Sequence, residues 1–402
     1  MASPTQSGHT SEAPWLVLLY LSGTSSGQVT ANTAILRALE EATKGEPLNA
    51  TCLYQFSYTD RTVWGTILAD GAEHVLHEGP PVDIAEPRFL TKFIDWALDR
   101  TRSPIEQRAR VALFVKDDGT GWMPDSKVGR PAAPSNDPGV HPRGILFDGV
   151  RYMTVPGLRQ AVASSRCHEV AIYGLDGCQM GTIEVAYELK DVAEIMIADD
   201  TTATKTGFAY DAFLPWLRGL QAPLDAAKVA AKVVELTNTR YKEEGATIVG
   251  VRLEGADGVA DAIDGLAGAL RALDPSQLAS SLGVDAQDGT QVLTTILSGV
   301  TKLGTVATSV DAVVKALSGF YVSQPGGNGL TIFLPVLGSQ FITLYGSLAF
   351  GQRFSLSNLK PTWSQFVAWL NETLLGVLSR SASGPVTPAG VAPTATRSLP
   401  SQ

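Results

Sequence analysis

A cysteine that closes an apolar run and opens a helix is placed to act as a nucleophile. Cys178 has such neighbours: Val170–Leu175 is an unbroken apolar stretch, and Thr182–Leu189 reads as helix. In that turn the thiol lies near the first free N–H groups of the helix, which favour a thiolate. The same turn suits an inert cysteine, because an unpaired Cys behaves as a small buried hydrophobe. A second turn of interest follows the apolar run Arg110–Val115, as Lys116-Asp117-Asp118-Gly119-Thr120-Gly121-Trp122. Ligands of parallel sheets bind beyond the carboxyl ends of the strands, so both turns belong to one candidate site.

The elements that must hold these turns alternate along the chain. Trp15–Ser22 is an apolar run of the kind buried on both faces of a sheet. A helix is predicted from Asn32 to Lys44 on the stripe Ile35, Leu36 and Leu39, then a strand over Ala50–Tyr58. Pro87–Arg100 reads as a helix with Phe89, Phe93, Trp96 and Ala97 on one side, and Ala193–Ala198 as a short strand. This alternation implies a parallel sheet with crossover helices. Residues 126–153 interrupt it with Gly, Pro and Asp, and loops of that length are usually functional or mobile.

Beyond residue 220 the texture turns helical, over Asp225–Leu236, Val259–Leu273 and Val292–Leu317, with strands at 247–253 and 329–335. Trp363, Phe366, Val367 and Leu370 make a last helical stripe, with Trp363 and Trp369 read as packing residues. The organisation expected is a tail over 1–13, a first unit over 14–220, an α/β region over 221–380 that completes the fold, and a tail over 381–402. The tails are Ser/Pro/Ala/Thr mixtures that bury too little to offset their ordering entropy.

Composition excludes several classes. The chain has 402 residues, 44% of them hydrophobic, enough for one large or two modest cores. Its 31 Lys and Arg against 40 Asp and Glu give a net charge of −9, without a basic run, which argues against a nucleic-acid partner. No apolar stretch approaches the roughly 20 residues of a spanning helix, and no leader pattern precedes Trp15, so no membrane partner is expected. Three cysteines, Cys52, Cys167 and Cys178, are too few for a disulfide scaffold and point to a reducing cytoplasm. Metal ligation is not expected, as the five histidines are scattered, and no cofactor is implied. Gly119-Thr120-Gly121 lacks the Gly-Lys-Ser/Thr ending of a phosphate cradle.

These residues resemble the clostripain-type cysteine peptidases of the caspase-like clan. That family joins a strand ending in H-G-x-G-W to a later strand ending in D-x-C-x-M-x-x-x-E-x-A-Y-E. Here the first motif is similar to Asp118-Gly119-Thr120-Gly121-Trp122, and the second to Asp176-Gly177-Cys178-Gln179-Met180 followed by Glu184, Ala186, Tyr187 and Glu188. Gly207-Phe208-Ala209-Tyr210-Asp211 and Gly329–Pro335 match two further segments in the right order. The resemblance implies a caspase-like α/β sandwich, a mostly parallel sheet with helices on both faces, plus a helical C-terminal region. It implies Cys178 as nucleophile and the N–H groups of Cys178 and Gly119 as oxyanion donors. Asp176, Asp200 and Trp122 would meet the substrate. A pocket carboxylate at Asp176 would select Arg or Lys at P1, although Thr206 stands before Gly207 where an acid is more usual.

One departure sets the functional expectation: Asp118 stands where the family has its general-base histidine. An aspartate, with a reference pKa of about 3.9, cannot give the leaving amine a proton at neutral pH. A carboxylate beside a thiol also disfavours the thiolate, whereas an imidazolium promotes it. His168 begins the strand that Cys178 follows, about seven residues at roughly 3.3 Å each from the thiol. His74 and His77, in an edge segment, read as solvated turn residues, and His141, in the long loop, could in principle swing in. The expectation is a cysteine endopeptidase, dead or crippled with Asp118. The alternative is a natural pseudopeptidase that binds a peptide or protein. Partners would be a protein or peptide substrate and an activating protease or regulatory partner. The basic residues Lys127, Arg130, Arg143, Arg151 and Lys205 set the expected cleavage sites: with histidine at 118 the chain would cut itself slowly at Lys205 or within 127–151, and with Asp118 it stays intact.

Overall fold

The computed structural model describes residues 15–382 other than 45–49, 68–72, 101–109, 123–143, 149–150, 200–206, 221–223, 246, 276–277, 279–280, 283–289, 324–328, 335–344 and 354–360. The predicted tails lie outside these residues except at Ser381 and Ala382. The first apolar run forms β1 (Trp15–Gly23), followed by α1 (Ser26–Ala42) and β2 (Ala50–Tyr58). The helix starts six residues before Asn32, because Ser25 and Gln28 cap each other's backbone N–H groups in a reciprocal box. Two unpredicted strands follow, β3 (Thr62–Ile67) and β4 (Glu73–Gly79). The second carries His74 and His77 on the sheet edge rather than in a turn. Its side chains are exposed on both faces, so no apolar alternation marks it.

Helix α2 (Pro87–Arg100) matches its predicted bounds and leads to β5 (Arg110–Lys116). The segment expected as loop contains a hairpin, β6 (Gly144–Phe147) and β7 (Tyr152–Thr154), that runs into α3 (Val155–Ala163). Thr154 caps that helix through Gly157 N–H. Then come β8 (Val170–Asp176), α4 (Ile183–Leu189), β9 (Ala193–Asp199), α5 (Tyr210–Arg218), α6 (Ala226–Arg240) and β10 (Ile248–Arg252). After α7 (Ala256–Arg271), the predicted helix over 292–317 divides into β11 (Thr290–Val292), α8 (Leu293–Thr301) and α9 (Ala307–Phe320). The break passes through Gly304 at φ +64°, a backbone state that glycine adopts without strain. Strand β12 (Thr331–Phe333) and α10 (Trp363–Ala382) complete the described chain.

The main sheet has the order β10-β9-β8-β5-β1-β2-β3-β4. Its five central strands are parallel, while β10 and the β3–β4 pair are antiparallel additions at the two edges. The strand at 247–253 therefore joins the sheet as expected. The one at 329–335 does not: β12 pairs with β11 and bridges Thr182 at the head of α4.

Successive strand residues face opposite sides, and each side has its own core. Leu16, Leu18, Tyr20, Leu113 and Tyr173 pack with residues of α2, α3, α4 and the helices after residue 255. Val17, Leu19, Phe114, Ile172 and Ile197 pack with α1, α5 and α6. Among the described residues no helix is long and apolar enough to cross a membrane.

Trp363 closes the first core: its indole is buried and donates to Phe333 O at 2.8 Å, while its N–H bonds Asp264 at 2.7 Å. We predict that Trp363→Ala destabilises the fold by about 3–5 kcal/mol in chemical denaturation. A loss below ~1 kcal/mol would show that α10 does not hold this core.

Candidate active site

Strands β5 and β8 are parallel neighbours in a register that sets Lys116 opposite Asp176. Their carboxyl ends therefore release the turns 117–122 and 177–182 side by side, and Asp117 N–H reaches back to Asp176 O at 3.3 Å. The two turns fit backbone against backbone. A Cβ on Gly119 would stand 2.6 Å from Cys178 O, 2.8 Å from Cys178 N and 2.8 Å from Gly177 C. Gly121, at φ +60°, lies as closely over Gln179 O. Only glycine lets the two chains approach this far. The structure thus brings Gly119 against Cys178, the pair named from sequence. Cys178 is half-buried just ahead of α4, whose N-cap is Thr182, accepting from Val185 N–H at 3.1 Å.

The neighbouring Asp117 is the anchor that sequence reasoning missed. It is buried, and accepts from Asp118 N–H and Phe147 N–H at 2.6 Å each and from the Gln28 side-chain amide. These bonds tie the 117–119 turn to the β6–β7 hairpin and to the first turn of α1. Burial pushes its carboxyl up to about 7, a rise opposed by the bond from Asp118 N–H and helped by the Asp118 charge. Asp118 is exposed, and one of its oxygens accepts from Gln28 Nε2 at 3.3 Å. The capping residue of α1 thereby touches both aspartates.

Two expected substrate contacts are placed differently. Trp122 is fully buried, edge-to-face with Phe333 and tilted against Tyr345 with ring centroids 4.9 and 5.2 Å away, so its indole faces the core. Asp176 is also fully buried. One oxygen faces Lys116 Nζ at 3.5 Å, and the other accepts from Phe208 N–H at 3.0 Å and Tyr210 Oη–H at 2.8 Å. Burial and saturation leave Asp176 presenting no open carboxylate. The one signal for Lys116 in the sequence is a charge that ends an apolar strand, a position that normally needs a partner; it does not say which.

Asp200, Thr206, Lys205 and His141 lie outside the described residues, as do Lys127, Arg130 and Arg143. Asp199 is buried, its carbonyl accepting from Gly181 N–H at 2.6 Å. His168 sits just before β8, at the opposite end from Cys178, and His74 and His77 are on β4 at the sheet edge.

On α4, Glu184 is buried, accepting from Phe333 N–H at 2.9 Å and Tyr345 Oη–H at 3.1 Å. Burial outweighs these bonds and pushes its carboxyl up to about 7 from an ordinary 4.5. Between those values the folded chain holds a proton that the unfolded chain has lost, so stability falls as pH rises through the window. Asp117 acts in the same sense from 3.8 upward. We predict a Tm that declines from pH 5 to pH 7.5, with a shallower decline in Glu184→Gln. An equal slope in both proteins would refute Glu184 as a source.

The sequence profile of the clostripain family matches residues 80–320, which span both turns of the site and more than half of the chain. No curated protein matches the chain at a significant level. Among solved structures, the chain is similar to a secreted C11 cysteine protease from Bacteroides thetaiotaomicron in complex with an irreversible peptide inhibitor. The two share 13% identity over 84% of this chain and 97% of that one, with a TM-score of 0.63. It is also similar to an inactive zymogen C11 protease from Parabacteroides distasonis, at 17% identity over 85% and 98% of the chains, with a TM-score of 0.61. At such identities the likeness is one of fold, the caspase-like sandwich with its mostly parallel sheet. Together with the profile, it places the chain in the clostripain family of cysteine peptidases.

Proposed function

We propose that this chain is built to open peptide bonds with Cys178, and that Asp118 deprives it of the base the reaction needs. The observation that carries the reading is the contact of Gly119 with the Cys178 backbone at the joined ends of β5 and β8. A thiolate at Cys178 would attack the scissile carbonyl, and the N–H groups of Cys178 and Gly119 would hold the oxyanion. The leaving amine must then take a proton, and an aspartate ionised at neutral pH has none to give. The outcome is a weak or silent endopeptidase. The second reading, a pseudopeptidase that captures a peptide or protein, is favoured by the same Asp118.

Preference for Arg or Lys at P1 would depend on a carboxylate pocket built from Asp176 and Asp200. Activation by cleavage at Lys205 or within 127–151 is proposed from the basic residues there, and a structural neighbour is described as an inactive zymogen. The cytoplasmic placement is supported by cysteine usage alone, while one neighbour is described as secreted. The first unit is read as a peptidase domain over 14–220, completed by 221–380.

Labelling by a peptidyl, thiol-directed acyloxymethyl ketone tests the reading. We expect Asp118→His to be labelled at Cys178 at least about 10²-fold faster than the native chain, and Cys178→Ala not at all. Equal rates in the first two proteins would favour the binding module.

A further inference from the structure

The side chain nearest an attacked carbonyl is that of P1, so it must lie against whatever flanks the nucleophile. On the peptidase reading that neighbour is Asp176, two residues before Cys178 in sequence, and its carboxylate is already engaged. Lys116 Nζ approaches Asp176 Oδ1 at 3.5 Å, and both side chains are buried, 8% and 1% exposed. The other oxygen is taken by Phe208 N–H and Tyr210 Oη–H. Gly207, at φ +72°, closes over the pair: a Cβ there would overlap Asp176 Oδ2 and stand 2.8 Å from Lys116 Cε. Among the described residues this place therefore holds one ammonium against one carboxylate, with Gly207 packed close over them.

We infer that Lys116 is a built-in occupant of the acidic pocket beside the thiol, and that the chain rejects Arg and Lys at P1 and takes an uncharged residue there. The inference rests on the peptidase reading above and replaces its basic preference. A second cation entering here would meet the Lys116 ammonium, with Asp176, the carboxylate that faces it among the described residues, already engaged, and burying a charge under those conditions is strongly unfavourable.

Two measurements test it separately from turnover. In the first, the native chain and Lys116→Ser are titrated with agmatine or n-butylamine and followed by calorimetry and thermal shift. Saturable binding is expected in Lys116→Ser only, the amine filling the place the lysine left. Amine binding to the native chain, or none to folded Lys116→Ser, overturns the inference. In the second, matched acyloxymethyl ketone peptides with Leu or Lys at P1 compete for Cys178. The Leu probe is expected to label the native chain at least about tenfold faster, and Lys116→Ser to reverse the order. A faster Lys probe on the native chain overturns the inference even if Lys116→Ser fails to fold. Where neither probe labels the native chain, the comparison is made on Asp118→His; absence of labelling by both probes there counts against the peptidase reading, and the amine titration then decides the pocket.

Discussion

Gly119→Ala is expected to abolish thiol labelling at Cys178 and to lower stability by about 1–3 kcal/mol. The reason is steric. All three atoms nearest the added methyl belong to backbone, at Cys178 O, Cys178 N and Gly177 C, so no side chain can turn aside. The turns must separate, and the Cys178 and Gly119 N–H groups then no longer converge on one point. A chain that keeps full stability and full labelling would show that the two turns are not interlocked. Because the peptide-inhibitor reaction depends on that geometry, labelling should be lost before the fold is.

Asp176→Ala is expected to destabilise the protein more, by about 3–5 kcal/mol, because it strands the Lys116 ammonium in a buried site. The double variant Lys116→Met, Asp176→Leu is expected to recover part of that loss, since a buried ion pair can give way to apolar packing of similar volume. Recovery stays partial: Phe208 N–H and Tyr210 Oη–H lose their acceptor in both proteins. Urea unfolding of the three chains decides the matter. An Asp176→Ala chain as stable as the native one would contradict the pairing of Lys116 with Asp176.

The parallel core was legible because its strands are buried on both faces and so appear as unbroken apolar runs, as in Trp15–Ser22 and Val170–Leu175. Strand β4 was not, since an edge strand with exposed faces leaves Glu73-His74-Val75-Leu76-His77 without a period. The capping box at Ser25 and Gln28 was present in the sequence and would have moved the start of α1. At the site, Cys178 and Gly119 came from motif and position, and the fold brings them together. Asp117 and Lys116 stayed hidden because their roles depend on partners remote in sequence: Phe147 and Gln28 for the first, Asp176 for the second, with Gly207 closing over that pair. Trp122 was expected as a substrate contact from the resemblance of its motif, yet Phe333 and Tyr345 claim it for the core.

The central claim is that a peptidase site stands complete except for its base, and one measurement addresses it most directly. The native chain, Asp118→His and Asp118→His with Cys178→Ala are assayed on a panel of fluorogenic peptides carrying Arg, Lys, Leu and Ala at P1. The account predicts kcat/KM about 10²–10⁴-fold higher in Asp118→His than in the native chain, and none in the cysteine-free control. A well-folded Asp118→His protein with no turnover on any member of the panel would contradict it.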